Sequence, residues 1–377
     1  MAELVIPANN GSDNTSSLNP IIVQERVISQ YAERENFFAR YMGESPSSVI
    51  QVVNDLANRP GDSVRVHVFS KLGSPGVDGD NTLEGQESAL SYNADLLLLS
   101  QKRQAVRLAA RLTEQRSAID LRKQAGHALG VWAKDWVTEL LTVYLAGFRG
   151  DRTLTVLPSN FSGFAGNSLR APDSVHRLFA GGTNASDVTA ADKMTCALLD
   201  KAIAKVQLLI NSGVPMRAID AQGRFLCVIT PEQAYDLWQD ADFVAAQQYA
   251  QVRGDNNPLF TGMMGMWKNL IIVVNPAGVL LPQGADLNPS GSPLGPALLG
   301  APAAQAQILG AQAGAWVKGK EEGASMDGAG SWRYTEKEFD FDNQVGFAIA
   351  TLMGFQKLQF ANQDHGAFSI FTAYTAV

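Results

Sequence analysis

SAIDLRKQAGHALGVWAKDWVTELLTVYLAG, residues 117–147, carries the strongest helical signal in the chain. Leu121, Ala125, Leu129, Trp132, Trp136, Leu140 and Tyr144 recur at steps of three and four, the stripe of a helix that buries one face. Ser117 with Asp120 predicts a capping box, the serine oxygen accepting from a free backbone amide. Gly147 predicts a left-handed stop. About 29 residues at ~1.5 Å each give roughly 43 Å, long for one helix of a globular domain. The Trp132/Trp136 pair could line a ligand pocket, but aromatic residues at helical spacing point to core. Leu129, Trp132, Trp136 and Leu140 are therefore expected to anchor the helix.

Upstream, SVRVHVFS (63–70) alternates, with Val64, Val66 and Val68 facing one way and Arg65 and His67 the other. A return strand is expected from Tyr92, through DLLLLSQKRQAV, to Arg107. The segment 71–91 between them is too long for an ordinary hairpin turn, and loops of that length are functional or disordered. Its centre, GDNTLEGQE (79–87), holds Asp80, Glu84 and Glu87. It is no calcium-binding EF-hand: counting Asp78 as the first position, Leu83 stands where glycine is needed and Ala89 where the bidentate glutamate belongs. The following run, 101–116, carries Lys102, Arg103, Arg107, Arg111 and Arg116. It could be a nucleic-acid stripe, yet no aromatics interleave to stack bases. The competing reading is an acidic tip and a basic stem on one extended arm. Such an arm cannot fold its tip onto its own base, whereas the tip of one copy can reach the stem of another. That is a head-to-tail assembly.

The rest of the chain is mixed. Residues 1–20 read as a flexible polar arm and the segment from Pro20 to about Met42 as a short helix. The stretch 148–187 is loop-rich with one strand-like segment, TLTVLP (153–158). Thr189 and Asp192 are expected to open a second helix with Cys196, Leu199, Ile203, Val206 and Ile210 inward and Gly213 at its end. RFLCVIT (224–230) is a buried strand running into a helix capped by Thr230, with Pro231 in the first turn and Gln233 completing a box. NLIIVVN (269–275) is another buried strand, 276–302 a Pro/Gly-rich excursion, and the remainder β-rich.

Nothing in this pattern carries catalysis. There is no phosphate loop, no HExxH and no GxSxG. His67, His127, His176 and His365 are scattered through unlike contexts, and Cys196 and Cys227 fall on apolar positions as inert core thiols. Asp340 and Asp342, two apart on an expected strand, read as a solvated face. No enzyme activity, cofactor or metal is expected. The net charge of −7 speaks against a freestanding nucleic-acid binder. Residues 287–317 are uncharged, but Pro293, Pro296 and Pro302 break them, and no membrane span is expected.

The order of parts resembles the major capsid proteins of tailed bacteriophages, with the Hong Kong 97-type fold. GDNTLEGQESAL before a return strand is similar to the loop of the capsid family typified by the coliphage N-four coat protein. QAVRLAARLTEQRSAIDLRKQA resembles the start of its spine helix. ILGAQAGAWVKG followed by FDFDNQVGFAIATLMGFQKLQF resembles its C-terminal strands. The resemblance covers about residues 60–145 and 303–360, and the middle matches only in element order. It implies an α+β fold: an N-terminal arm (1–61), an extended E-loop β-hairpin (62–111), a peripheral domain with spine helix (112–175) and an α/β axial domain (176–300). C-terminal strands (301–377) would return to the peripheral domain. It further implies self-assembly into pentamers and hexamers of an icosahedral shell around double-stranded DNA, without sequence-specific binding. The implied location is the virion capsid, reached through the host cytoplasm, with scaffold, portal and decoration proteins as candidate partners. Asp80, Glu84 and Glu87 at the tip and Lys102, Arg103 and Arg107 on the stem are the expected contacts between subunits. Some members crosslink an E-loop lysine; Lys71 sits at the start of the tip and no crosslink is expected. Two other readings stand beside this one, a protein-shell nanocompartment of the same fold and an α/β enzyme with an unrecognised site.

Overall fold

The structure, a computed structural model, describes residues 30–57, 61–69, 76–87, 92–108, 110–116, 120–209, 216–249, 265–288, 295–319, 332–341, 343–360 and 362–376. The expected arm 1–20 lies outside the described residues, as do Lys71, Ser117, Ile210, Gly213 and Asp342. Of the helix expected from Pro20 to about Met42, residues 20–29 lie outside the described residues; the remainder makes a π-helical turn, Gln30–Arg34, and a 3-10 turn, Ala39–Tyr41. The Asn36 amide closes the first of these on the carbonyl of Ala32 (2.8 Å), taking a partner that a continuing helix would have used.

Strand β1 (Ile50–Val53) precedes the arm, whose strands are β2 (Ser63–Phe69) and β3 (Tyr92–Leu98). These pair antiparallel from Ser63↔Leu98 to Phe69↔Tyr92. The expected single return strand is broken at Leu99, whose amide closes the arm on Asp62 O (2.8 Å). Strand β4 (Ser100–Arg107) leaves the arm altogether. A close crossing marks the place: a Cβ on Gly354 would stand 2.1 Å from the carbonyl oxygen of Leu98.

A short helix α1 (Arg111–Arg116) leads to the spine helix α2 (Leu121–Ala146), 26 residues or ~39 Å. Its cap is Asp120, whose carboxylate accepts from the amides of Arg122 and Lys123, so the helix starts later than the Ser117 box implied. Gly147 ends it at φ 78, as the sequence suggests. The segment 153–158 is no strand. Glu139, buried on α2, takes the amides of Thr155, Val156 and Leu157, and Arg149 takes the carbonyls of Leu157 and Pro158. With both sets of backbone groups met by side chains, no strand partner is needed.

Strand β5 (Arg177–Phe179) is followed by helix α3 (Cys196–Leu208). Thr189 and Asp192 do not open this helix. The Asp192 carboxylate turns back on the amide and hydroxyl of Thr189 (2.8 and 2.6 Å), and Thr195 is the cap. Then come β6 (Phe225–Ile229), α4 (Pro231–Gln239) behind the expected Thr230/Gln233 box, α5 (Ala241–Tyr249) and β7 (Leu270–Val274). The last strands are β8 (Ala303–Leu309), β9 (Gly314–Lys318), β10 (Trp332–Phe339), β11 (Gln344–Lys357) and β12 (Ala367–Ala373).

Two sheets organise these elements. In the first, β1 runs parallel to β9, and the 14-residue β11 pairs antiparallel with β9 and β10 on one side and β4 on the other. The second has the order β7-β6-β8-β12-β5. β8 and β12 lie at its centre, so the division expected at residue 301 does not follow the sheets: β9–β11 belong with the spine helix, β8 and β12 with the central strands. In β6 all five residues are buried because both faces are covered. Leu226 and Val228 join the core around α2, whereas Phe225, Cys227 and Ile229 pack with α3 and α4.

Candidate assembly surface

Every described residue of the arm's tip but Val77, across 76–87, is exposed. Gly76, Gly79 and Gly85 all take positive φ there, with nothing near the space a Cβ would fill. Local bonds order part of the loop: Gln86 N donates to Leu83 O and Gly85 N to the Glu87 carboxylate (2.8 Å). Asp80, Glu84 and Glu87 thus stand in solvent with Leu83, 59% exposed, between them. Such a loop adds little to this subunit's core.

The arm's base is held firmly. Val66 and Leu97 are buried with Leu56, Val317, Leu358 and Phe360. Asn167 pairs with β3 as a strand would, accepting from Leu98 N and donating to Leu98 O (3.0 and 2.9 Å). Asp95, buried on β3, meets Arg170 at 3.0 Å and the Gln359 amide at 2.7 Å. Arg170 also donates to Lys357 O, and Lys357 pairs with Asp364 at 2.8 Å, both side chains 1% exposed. Asp364 N donates in turn to Asp173, which holds His176 Nδ1 at 2.7 Å. Burial pushes the Asp173 carboxyl up, but His176 and the amides of Asp364 and His176 outweigh it and hold the carboxyl at about 2.

His365 borders this chain of charges, 4% exposed, with neither ring nitrogen hydrogen-bonded. Burial, with Arg217 and His176 nearby, pushes its pKa down to about 4. The unfolded chain, titrating near 6.5, then takes up the proton first. Stability is complete above pH 6.5 and falls as pH drops towards 4, by roughly 2–3 kcal/mol from this group. Asp173 contributes a further loss below its ordinary value, near 3.8. His365→Met, which removes no hydrogen bond, is expected to flatten the decline between pH 6.5 and 4 in urea unfolding of the subunit. An unchanged slope would show that another group carries it.

The stem is differently placed than an arm would put it. Lys102, Arg103 and Arg107 lie on β4, an edge strand of the first sheet, and strand alternation divides them. Lys102 lies on the spine side, its Nζ 5.7 Å over the Trp136 ring. Arg103 and Arg107 are exposed on the opposite face. Register brings two cations there that sequence reading passed over: Arg103 and Arg333 flank Ala350, and Arg107 and Lys337 flank Gly346. The four exposed cations stand at the corners of a rectangle roughly 10 by 13 Å, given the usual strand spacing and rise. Small residues (Gly346, Ala348, Ala350) run between them, and Phe339 lies under Arg107 and Lys337 at 4.5 and 5.2 Å. The alternation in WRYTEKEF, with Arg333, Thr335 and Lys337 on one face, was the available signal. Arg116 is exposed on α1, off this face.

The expected core residues are on α2: Leu129, Trp136 and Leu140 are buried and Trp132 half-buried. Burial pushes both thiols, Cys196 and Cys227, up to about 12, so neither is a ready nucleophile. Asp340 lies in a turn after β10, not on a strand. Among the described residues no three His, Cys, Asp or Glu side chains are placed to hold a metal ion, and no helix is long and apolar enough to cross a membrane.

Residues 14–377 match the family described as phage capsid protein. The chain is 29% identical over 370 residues to the major capsid protein of Pseudomonas phage KPP25, covering 91% of this chain and 92% of that one. Its fold superposes on the capsid of Ralstonia phage GP4 with a TM-score of 0.77 at 26% identity, over 90% of this chain and 92% of that chain. The cyanophage Pam1 capsid asymmetric unit follows at a TM-score of 0.68 and 20% identity, with the same coverage.

Proposed function

The chain belongs to the phage capsid protein family, as a major capsid protein on the Hong Kong 97-type fold, and from that premise we propose how its copies hold together. Copies close into pentamers and hexamers of an icosahedral shell around double-stranded DNA, assembled in the host cytoplasm. The acidic tip of one copy lies on the basic face of the first sheet of its neighbour. The observation that carries this contact is the complementarity of two exposed surfaces. Asp80, Glu84 and Glu87 stand on a tip that serves no core, and Arg103, Arg107, Arg333 and Lys337 stand on a flat face. Firm anchoring of the arm's base supports the reading, because a grip needs a fixed root.

One exposed ion pair contributes only ~0–1 kcal/mol, but the contact recurs at every arm of a shell and each is screened by salt. The double reversal Glu84→Lys with Glu87→Lys is expected to abolish closed shells, read by sedimentation, while subunit unfolding stays unchanged. Adding Arg103→Glu and Arg107→Glu should restore part of the assembly. Were this face a DNA contact instead, its reversal alone would spare empty shells and impair only packaging. Full assembly of the tip-reversed protein would sink the electrostatic grip.

A further inference from the structure

The β10–β11 hairpin ends in a turn whose chemistry does not suit its sequence. Phe339↔Gln344 is the last paired position, and the turn closes through Asn343 N to Asp340 O at 3.0 Å, with the Asn343 amide on the Asp340 carboxylate at 3.1 Å. Asp340 and Phe341 both take left-handed backbone, φ 53 and φ 50. Left-handed positions select Gly, Asn or Asp, because a Cβ crowds the backbone there. Asp340 obeys the rule. Phe341 breaks it, and the residue is fully exposed.

Phe339, two residues earlier, shows what the hairpin does with an aromatic ring it uses: Phe339 is half-buried beneath Arg107 and Lys337. Other exposed aromatics, such as Tyr235 at 41% and Trp238 at 51%, rest partly on their helices. Isolated exposed apolar residues are ordinary. A fully exposed ring held at a conformation it disfavours is different, since Asn or Gly would relieve both the strain and the exposure. Neither folding nor turn formation calls for phenylalanine here.

We propose that Phe341 is an apolar knob that one copy of the chain inserts into a neighbouring copy when the shell closes. The inference rests on the shell-forming reading above. A second copy is the occupant because the turn joins β10 and β11, the strands that carry the basic face proposed above to meet a neighbour. The surrounding polar groups of Asp340 and Asn343 form the rim expected around a buried anchor. The left-handed backbone then has a use: it aims the ring outward from the hairpin's end, free of its own sheet.

The test compares the parent with Phe341→Asn, Phe341→Gly and Phe341→Leu. Asn and Gly suit the backbone and remove the ring, so the subunit should unfold at or above the parent's temperature. The concentration needed for shells, read by sedimentation, should rise at least tenfold. Phe341→Leu should assemble more readily than either. As a direct probe, Phe341→benzoylphenylalanine should photocrosslink in particles to a species of twice the 40.5 kDa chain. Shells of Phe341→Asn forming at the parent's concentration would overturn the knob and leave the shell reading intact. So would crosslinking to a different polypeptide, or to none. A parent that forms no particles in the expressing cell would overturn both.

Discussion

Trp136→Ala is expected to lower subunit stability by about 3–5 kcal/mol, the range for removing a fully buried large aromatic ring. Trp136 is 1% exposed and is a meeting point of three elements. Trp132 stacks on it at 6.1 Å from the same helix. Phe164 meets its ring edge-on at 5.4 Å, and Trp332 of β10 at 6.2 Å. Lys102 of β4 adds its charge over the ring, an interaction worth ~0.5–1 kcal/mol. The backbone of α2 cannot readily close the resulting cavity, because Glu139 binds it to the amides of Thr155 and Leu157 and Gly147 lies against the backbone of Arg170. Trp132→Ala, on a half-buried ring, should cost about 1–2 kcal/mol. Denaturant midpoints of the two variants give the ordering. Wild-type stability of Trp136→Ala would mean that the spine is anchored elsewhere.

Lys357→Met should be as severe, at about 3–5 kcal/mol, for an electrostatic reason. The ammonium and the Asp364 carboxylate are almost wholly out of water, and loss of one leaves the other buried without its counter-ion. Gln359 Nε2 still donates to Asp364 at 2.9 Å, but a neutral amide does not replace a charge. The double variant, Lys357→Met with Asp364→Leu, removes both charges and should recover much of the loss. Equal damage in the single and double variants would show that the backbone bonds around Asp364, and not the ion pair, hold this junction. The arm's root should respond too, because Arg170 bridges the carbonyl of Lys357 and the Asp95 carboxylate. Proteolysis at the arm is expected to speed up in Lys357→Met and return towards normal in the double variant.

Several features were legible because they are written within a few residues. The stripe of Leu129, Trp136 and Leu140 follows from helical period, and the Thr230–Pro231–Gln233 start of α4 from cap chemistry. The pairing of β2 with β3 follows from alternation on both sides of a polar tip. The order of these parts, together with the phage-capsid resemblance, pointed to the family that the comparisons bear out. Non-local satisfaction of polar groups was not legible. The amides of 155–157 are met by Glu139 on α2, and the first amide of α3 by Asp240 at 2.6 Å. Both partners are fixed only when elements pack. Strand period says that β4 has two faces; it does not say which strand lies beside it. β11 decides that, and with it the meeting of Arg103 and Arg107 with Arg333 and Lys337. The sequence by itself determined the buried stripe of α2, the cap of α4, the pairing of β2 with β3 and the charge of the arm's tip. The tertiary structure alone decided which charges share a face, because register joins residues that no local pattern relates.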